Sequence, residues 1–219
     1  CEPYITGDYR ILMETPELLI EGLNIVLDMF PKAKGIIGIE DNKKDAIAKV
    51  EALVKGDARI SVAPLKTKYP QGAERSLIFA TTGRSINSSM LPADAGCVVD
   101  NVATIVAIKE AVKDGKPLYE RVVTVTGDAI KNPSNFKVRT GTNVQELIEA
   151  AGGFKTQPEK IISGGPMMGN IGTGAQPVTK TTNAILVLPK DHHIIQKKLK
   201  KNSIDMKRAA ACCCQCTMC

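Results

Sequence analysis

The chain has 219 residues, a net charge of +6, 43% hydrophobic and 24% charged residues, a globular composition long enough for one large domain or two small ones. No apolar run approaches the roughly 18 residues needed to cross a bilayer, which excludes a membrane-spanning helix, and 4% aromatic residues without an accompanying motif argue against nucleic acid as partner. Five of the seven cysteines fall in the last eight residues, a pattern foreign to disulfide frameworks and suited to a reducing, cytoplasmic compartment.

The chain opens on Cys1-Glu2-Pro3, without an initiator Met or a signal peptide, and reads as a piece of a longer polypeptide cut at both ends. Glu2-Pro3 by itself is a turn. Thr15-Pro16-Glu17 then starts a helix with proline at its first position, and Leu18, Leu19, Gly22, Leu23, Val26 and Leu27 form its apolar stripe. Residues 35–40 are a short apolar run between turn signals, expected as a strand buried on both faces. Asp41-Asn42 is expected to cap a second helix that turns Ile47, Val50, Leu53 and Val54 inward and ends at Gly56. A second strand follows at 60–65. Strand, helix, strand predicts a parallel pair in an α/β sheet, whose ligands bind beyond the carboxyl ends of the strands.

The stretch that follows those ends, residues 69–104, organises the chain. It opens on the turn Tyr69-Pro70-Gln71-Gly72-Ala73-Glu74 and closes on Val99-Asp100-Asn101-Val102-Ala103-Thr104, each feeding a helix. Helix N-termini carry free backbone N–H groups that suit a phosphate or a flavin ring, although most such turns and caps are ordinary architecture. After a helix over 101–113 the pattern changes at Asp114-Gly115-Lys116-Pro117, where a domain boundary is expected.

Beyond it, 121–127 and 136–141 predict a strand pair joined through Asn132-Pro133, Asn143 caps a short helix ended by Gly152-Gly153, and 161–165 and 184–188 predict further strands. This order is that of a β-grasp. Met167 and Met168, in Ser163-Gly164-Gly165-Pro166-Met167-Met168-Gly169, are expected as core filler, and His192 and His193 as solvent-exposed. Lys197, Lys198, Lys200 and Lys201, with Lys207 and Arg208, make a basic run, either a solvated helix face or a docking surface for an acidic partner or anionic membrane. Cys213-x-x-Cys216-x-x-Cys219 is three quarters of a ferredoxin-type run for a [4Fe–4S] cluster, a spacing that also suits zinc. The chain stops before a fourth such cysteine, so the cluster is expected to be incomplete.

KYPQGAE, LPADAG and VVDNVATIVAI, together with CEPYITGDYR, GIEDNKKDAI, RVVTVTGDAIKNPSNFKVRTG and ISGGPMMG in one order, resemble the RnfC family. Its members belong to the Rnf electron-transport complexes and are similar to the NADH-binding flavoprotein subunit of respiratory complex I. The resemblance implies a Rossmann-like parallel-sheet domain (residues 1–115, part of an FMN/NADH-binding α/β domain), an SLBB β-grasp domain (116–190), and a basic linker leading to a ferredoxin-type cysteine motif (191–219).

It further implies that Glu2 lies in the segment against flavin and nicotinamide, that Gly72 lets the backbone approach the isoalloxazine, and that Glu74 sits beside the ring or the incoming nicotinamide. Val99, Asp100, Asn101 and Thr104 match the positions that hold the flavin, and Cys213, Cys216 and Cys219 would be metal ligands. Ala73, where the complex I relative has an acid, and Asp100, where it has Asn, depart from that pattern. The family's Gly-rich loop, which cradles the flavin phosphate, would precede Cys1.

The implied function is electron transfer between NAD(H), FMN and iron–sulfur clusters, coupled to ion transport by other Rnf subunits and linked to ferredoxin-type carriers. The protein would then be cytoplasmic and peripheral to the inner face of the cell membrane. A cobalamin reductase of the PduS type, whose tail resembles RAAACCCQCTMC, and a non-catalytic scaffold are the alternatives.

Overall fold

The computed structural model describes residues 1–87, 89–199 and 203–213. An α/β unit comes first, with α1 (Gly7–Glu14), α2 (Pro16–Met29), β1 (Gly35–Glu40), α3 (Lys44–Leu53), β2 (Ile60–Leu65), α4 (Glu74–Thr82), a short 3-10 turn (Pro92–Ala95) and α5 (Val102–Asp114). β1 and β2 pair in parallel, from Gly35 opposite Ile60 to Glu40 opposite Leu65. Leu12, Leu19, Ile37, Ile39, Val50 and Ile105 meet in one core, so α1, α2, α3 and α5 bury their apolar stripes against the strands. The closest approach is between α2 and α5, where Gly22 lies directly against the Ile105 carbonyl.

Two local expectations are corrected. β1 is buried on one face: Gly35, Ile37 and Ile39 point to the core, where the helices gather, while Ile36 faces outward. Asp41 and Asn42 do not cap α3, which begins at Lys44 without a side-chain cap and leaves Leu53 half exposed in its last turn. Asp41 Oδ1 is engaged elsewhere, accepting from the backbone N–H (3.1 Å) and hydroxyl (2.7 Å) of Thr67. This clip joins the loops that follow β1 and β2.

The Thr67 hydroxyl, and after it the Thr67 N–H, hold the Asp41 carboxyl below its ordinary value of 3.8. Because the folded-state value is depressed, the clip's contribution is complete above the ordinary value and is lost as pH falls through the depressed one. Thr67→Val is expected to move the Asp41 titration back toward the ordinary range, read by side-chain NMR. An unmoved titration would assign the shift to the backbone bond alone.

The second unit contains β3 (Glu120–Thr126), β4 (Ser134–Arg139), α6 (Val144–Ala150), β5 (Pro158–Ser163), β6 (Asn170–Gly172) and β7 (Ala184–Pro189). The sheet order is β4-β3-β7-β5-β6, with β3 and β7 parallel and the other pairs antiparallel. The central strand β7 is buried throughout. Ile185 and Val187 pack with Val123, Val125 and the α6 residues Leu147 and Ile148 on one face, and Leu186 and Leu188 pack with Tyr4 and Ile195 on the other. A helix crossing a mixed sheet is the β-grasp arrangement expected from the strand order. α7 (His193–Leu199) and α8 (Ser203–Cys212) follow, in the stretch read from sequence as a basic linker.

Two side-chain expectations also change. Met167 and Met168 are exposed rather than core residues, Met168 by 73%, because they sit at the tip of the β5–β6 turn. His192 is 7% exposed, not solvated. Its Nδ1 accepts from the Ile194 N–H (3.3 Å), which leaves Nε2 to carry the ring proton toward the Tyr4 hydroxyl at 3.3 Å.

The two units share a strap, residues 1–6, and an ion-pair cluster. Thr6 N donates to Thr124 Oγ1 (3.2 Å) and its hydroxyl to Asn135 Oδ1 (3.2 Å). Lys116, in the connection after α5, lies 2.7 Å from Glu120 and 3.7 Å from Glu110, and Lys137 is 3.8 Å from both acids.

Candidate flavin cleft

A cleft of about 370 Å³ opens beyond the carboxyl ends of β1 and β2. Ile39 and Glu40 from β1 and Leu65 from β2 form part of its lining. The turn before α4 contributes Gln71, Gly72 and Glu74, and the turn before α5 contributes Val99, Asp100 and Asn101. Five of the residues singled out from sequence, Gly72, Glu74, Val99, Asp100 and Asn101, therefore line one cavity despite their separation in the chain.

Local chemistry explains the shape of this cavity. Gln71 is buried, which anchors the turn. Asn101 is the N-cap of α5: its Oδ1 accepts from the Ala103 N–H at 2.8 Å, and its Nδ2 donates to Asp8 Oδ2 at 2.8 Å, fixing the entry of α5 against α1. The Tyr9 hydroxyl donates to Asp45, a bond that raises the phenol pKa and lowers that of the carboxyl. At Gly72 the nearest atom to an added Cβ is Cys1 Sγ at 3.5 Å, an ordinary contact. Packing alone therefore does not require a glycine there, and bare backbone facing a cavity suits a flat ring lying close to it.

Charge points the same way. Asp8, Glu40, Glu74 and Asp100 line the cleft, while Lys43 is its one basic side chain among the described lining residues and is already paired with Glu40. Such a lining disfavours a phosphate and suits an uncharged ring rich in hydrogen-bonding atoms. The side chains present thus fit the ring end of a flavin, and they offer little for its phosphate.

Two sequence-predicted residues lie elsewhere. Thr104 faces a wider groove of about 890 Å³ between the two units, among Arg10, Glu110, Arg121 and Asn135. That groove is larger, but it gathers only Thr104 of the matched residues. Glu2 turns away from the cleft, its Oε2 accepting from the Met167 N–H at 2.9 Å and its Oε1 from the Met168 N–H at 3.2 Å. The acid thereby ties the strap to the β5–β6 turn. Glu2→Ala is expected to speed amide exchange at Met167 and Met168 by roughly tenfold, the loss of a charged hydrogen bond, while exchange in β7 stays unchanged. Uniform acceleration through the second sheet would contradict this local role.

Of the predicted metal ligands, Cys213 is exposed just after α8, and Cys216 and Cys219 lie outside the described residues. Among the described residues no three His, Cys, Asp or Glu side chains come together as a metal site, and no helix is long and apolar enough to cross a membrane. The residue that sequence reasoning missed is Glu40. Its position as the last residue of β1, at the strand end where open α/β sheets bind ligands, was the available signal.

Comparison with known proteins bears on the same cleft. Residues 1–110 match the Nuo51 FMN-binding domain and residues 122–170 match the SLBB domain. The RnfC protein of the Na(+)-translocating ferredoxin:NAD(+) oxidoreductase complex of Acetobacterium woodii is 47% identical over 192 residues, which cover 87% of this chain and 43% of that protein. Its counterpart in the proton-translocating ferredoxin:NAD(+) oxidoreductase complex of Clostridium ljungdahlii is 46% identical, covering 87% and 42%. The counterpart in the ion-translocating oxidoreductase complex of Cronobacter sakazakii is 40% identical, covering 85% and 24%. The chain thus spans less than half the length of these curated relatives.

In fold, the chain resembles the crystal structure of an NAD+-reducing [NiFe]-hydrogenase in the H2-reduced state. The TM-score is 0.67 at 19% identity, over 85% of this chain and 38% of that one. By these matches and by the two domains it carries in this order, a Nuo51 FMN-binding domain followed by an SLBB domain, the chain belongs to the RnfC family.

Proposed function

We propose that this chain is the flavin-site and SLBB portion of a subunit that passes electrons between NAD(H), FMN and iron–sulfur clusters. The subunit would work within an ion-translocating ferredoxin:NAD+ oxidoreductase complex, as the names of its relatives state for theirs. One observation carries the reading: in a chain whose first 110 residues match an FMN-binding domain, Gly72, Glu74, Val99, Asp100 and Asn101 converge on one ring-sized cleft at the strand ends.

A bound flavin supplies the chemistry, taking two electrons as a hydride and releasing them singly. The protein's part is binding and orientation. Gly72 leaves backbone open to one face of the ring, Asn101 fixes the wall at α5, and the acidic rim turns the phosphate end away toward residues outside the cleft. Nothing in the cleft is arranged as a nucleophile with its base, in keeping with a site whose work is positioning.

Cys213, with Cys216 and Cys219, is proposed to supply cluster ligands. The other Rnf subunits and ferredoxin-linked carriers are the proposed partners, through which the protein would lie peripheral to the inner face of the membrane. The test is an anaerobic absorbance spectrum of the full-length protein before and after NADH. Bleaching of a bound flavin band supports the reading, and a full-length protein that retains no FMN removes it.

A further inference from the structure

Within the cleft one atom lacks the partner its chemistry demands. Glu40 closes β1, and its side chain is only 16% exposed. Its Oε2 is satisfied by Lys43 Nζ, which also donates to Asn42 Oδ1 at 3.2 Å. Its Oε1 is buried and accepts no hydrogen bond. The nearest cation is the amino nitrogen of Cys1, 3.7 Å away, beyond hydrogen-bond range. A buried carboxylate oxygen without a donor is costly, and native proteins keep such atoms where something else completes them.

The missing group must be a donor. The other carboxylates of the cleft do not compete for it in the same way: Asp8 accepts from the Asn101 amide, and Glu74 and Asp100 stand exposed at the rim. Glu40 is thus the recessed acceptor of the cleft among the described residues.

We propose that Glu40 Oε1 accepts the N3–H of the flavin's pyrimidine ring and so sets which end of the ring lies at the foot of β1. This inference rests on the flavin reading above. An oxidised isoalloxazine has a single N–H, the imide at N3, which cannot turn to find another acceptor once buried. Ribityl hydroxyls can rotate toward many partners, and the ring carbonyls are acceptors that would repel the carboxylate. Lys43 holds the carboxylate from behind, leaving one oxygen aimed at the ligand. Glu40 is therefore a specificity-determining residue for the ring.

The test compares FMN with N3-methyl-FMN, which lacks the donor, by flavin-fluorescence titration of the full-length protein. The wild type is expected to bind the methylated flavin at least roughly tenfold more weakly, the loss of one charge-assisted hydrogen bond. Glu40→Leu is expected to weaken FMN by a similar factor and to bind both flavins alike. Glu40→Gln keeps the shape with one acceptor oxygen, and is expected to recover part of the discrimination; it serves as the deciding variant if Glu40→Leu does not fold. Unchanged discrimination in both variants, or a wild type that binds both flavins equally, overturns the assignment of Glu40 and leaves the flavin reading standing. A wild type that binds neither flavin overturns both.

Discussion

Gly22→Ala is expected to destabilise the first domain by about 2 kcal/mol. The Cβ would lie 2.1 Å from the Ile105 carbonyl oxygen and 2.9 Å from its carbon. Both atoms are backbone in the middle of α5, so no rotamer change relieves the clash and the two helices must move apart. Overpacking of this kind costs up to about 3 kcal/mol, of which roughly 1 kcal/mol returns because alanine is the better helix former. Urea unfolding should show a lower midpoint at unchanged m-value. Because α5 carries Asn101 at its N-cap, the same displacement is expected to open the cleft wall and weaken FMN. A stabilised Gly22→Ala would mean that α2 and α5 do not cross this closely.

Leu186→Ala is expected to cost more, about 3 kcal/mol. The side chain is fully buried in β7, enclosed by Tyr4, Ile162, Leu188 and Ile195, and truncation leaves a cavity that a central strand cannot close. The second sheet should bear the loss. Tyr4 loses a packing partner as well, so the strap is expected to loosen, with faster amide exchange at Thr6, whose N–H is held by Thr124. Calorimetry together with hydrogen exchange checks both parts, and a loss below about 1 kcal/mol would mean that the far face of the sheet is not a packed core.

What was legible in the sequence had local causes. Asn101 and Asn143 read as caps because an Asn side chain bonds the helix it begins, and both do so. The apolar runs of β1 and β2 read as strands because little else suits so short a run between turns. The convergence of residues 72–74 with 99–101 followed from the rule that α/β sheets bind ligands at their carboxyl ends. Features set by partners far along the chain stayed hidden. No periodicity could reveal that Glu2 would bind the Met167 and Met168 amides, or that His192 would be buried against Tyr4. β6 is three residues long, too short to register, and α1 lacks a side-chain cap at Thr6 to announce it.

The strap also fixes an order of assembly. Its contacts span sequence separations of 118, 165 and 188 residues, through Thr6, Glu2 and Tyr4. Residues 1–6 leave the ribosome well before any of these partners exist, and each contact closes a loop as long as most of the chain. The local α/β core can condense on its own residues, but the strap has nowhere to dock until β7 and His192 have been made. Since Cys1, at the head of the strap, lines the cleft, that side of the flavin cleft is finished last. Acquisition of the cofactor is expected to follow completion of the second domain rather than accompany synthesis of the first.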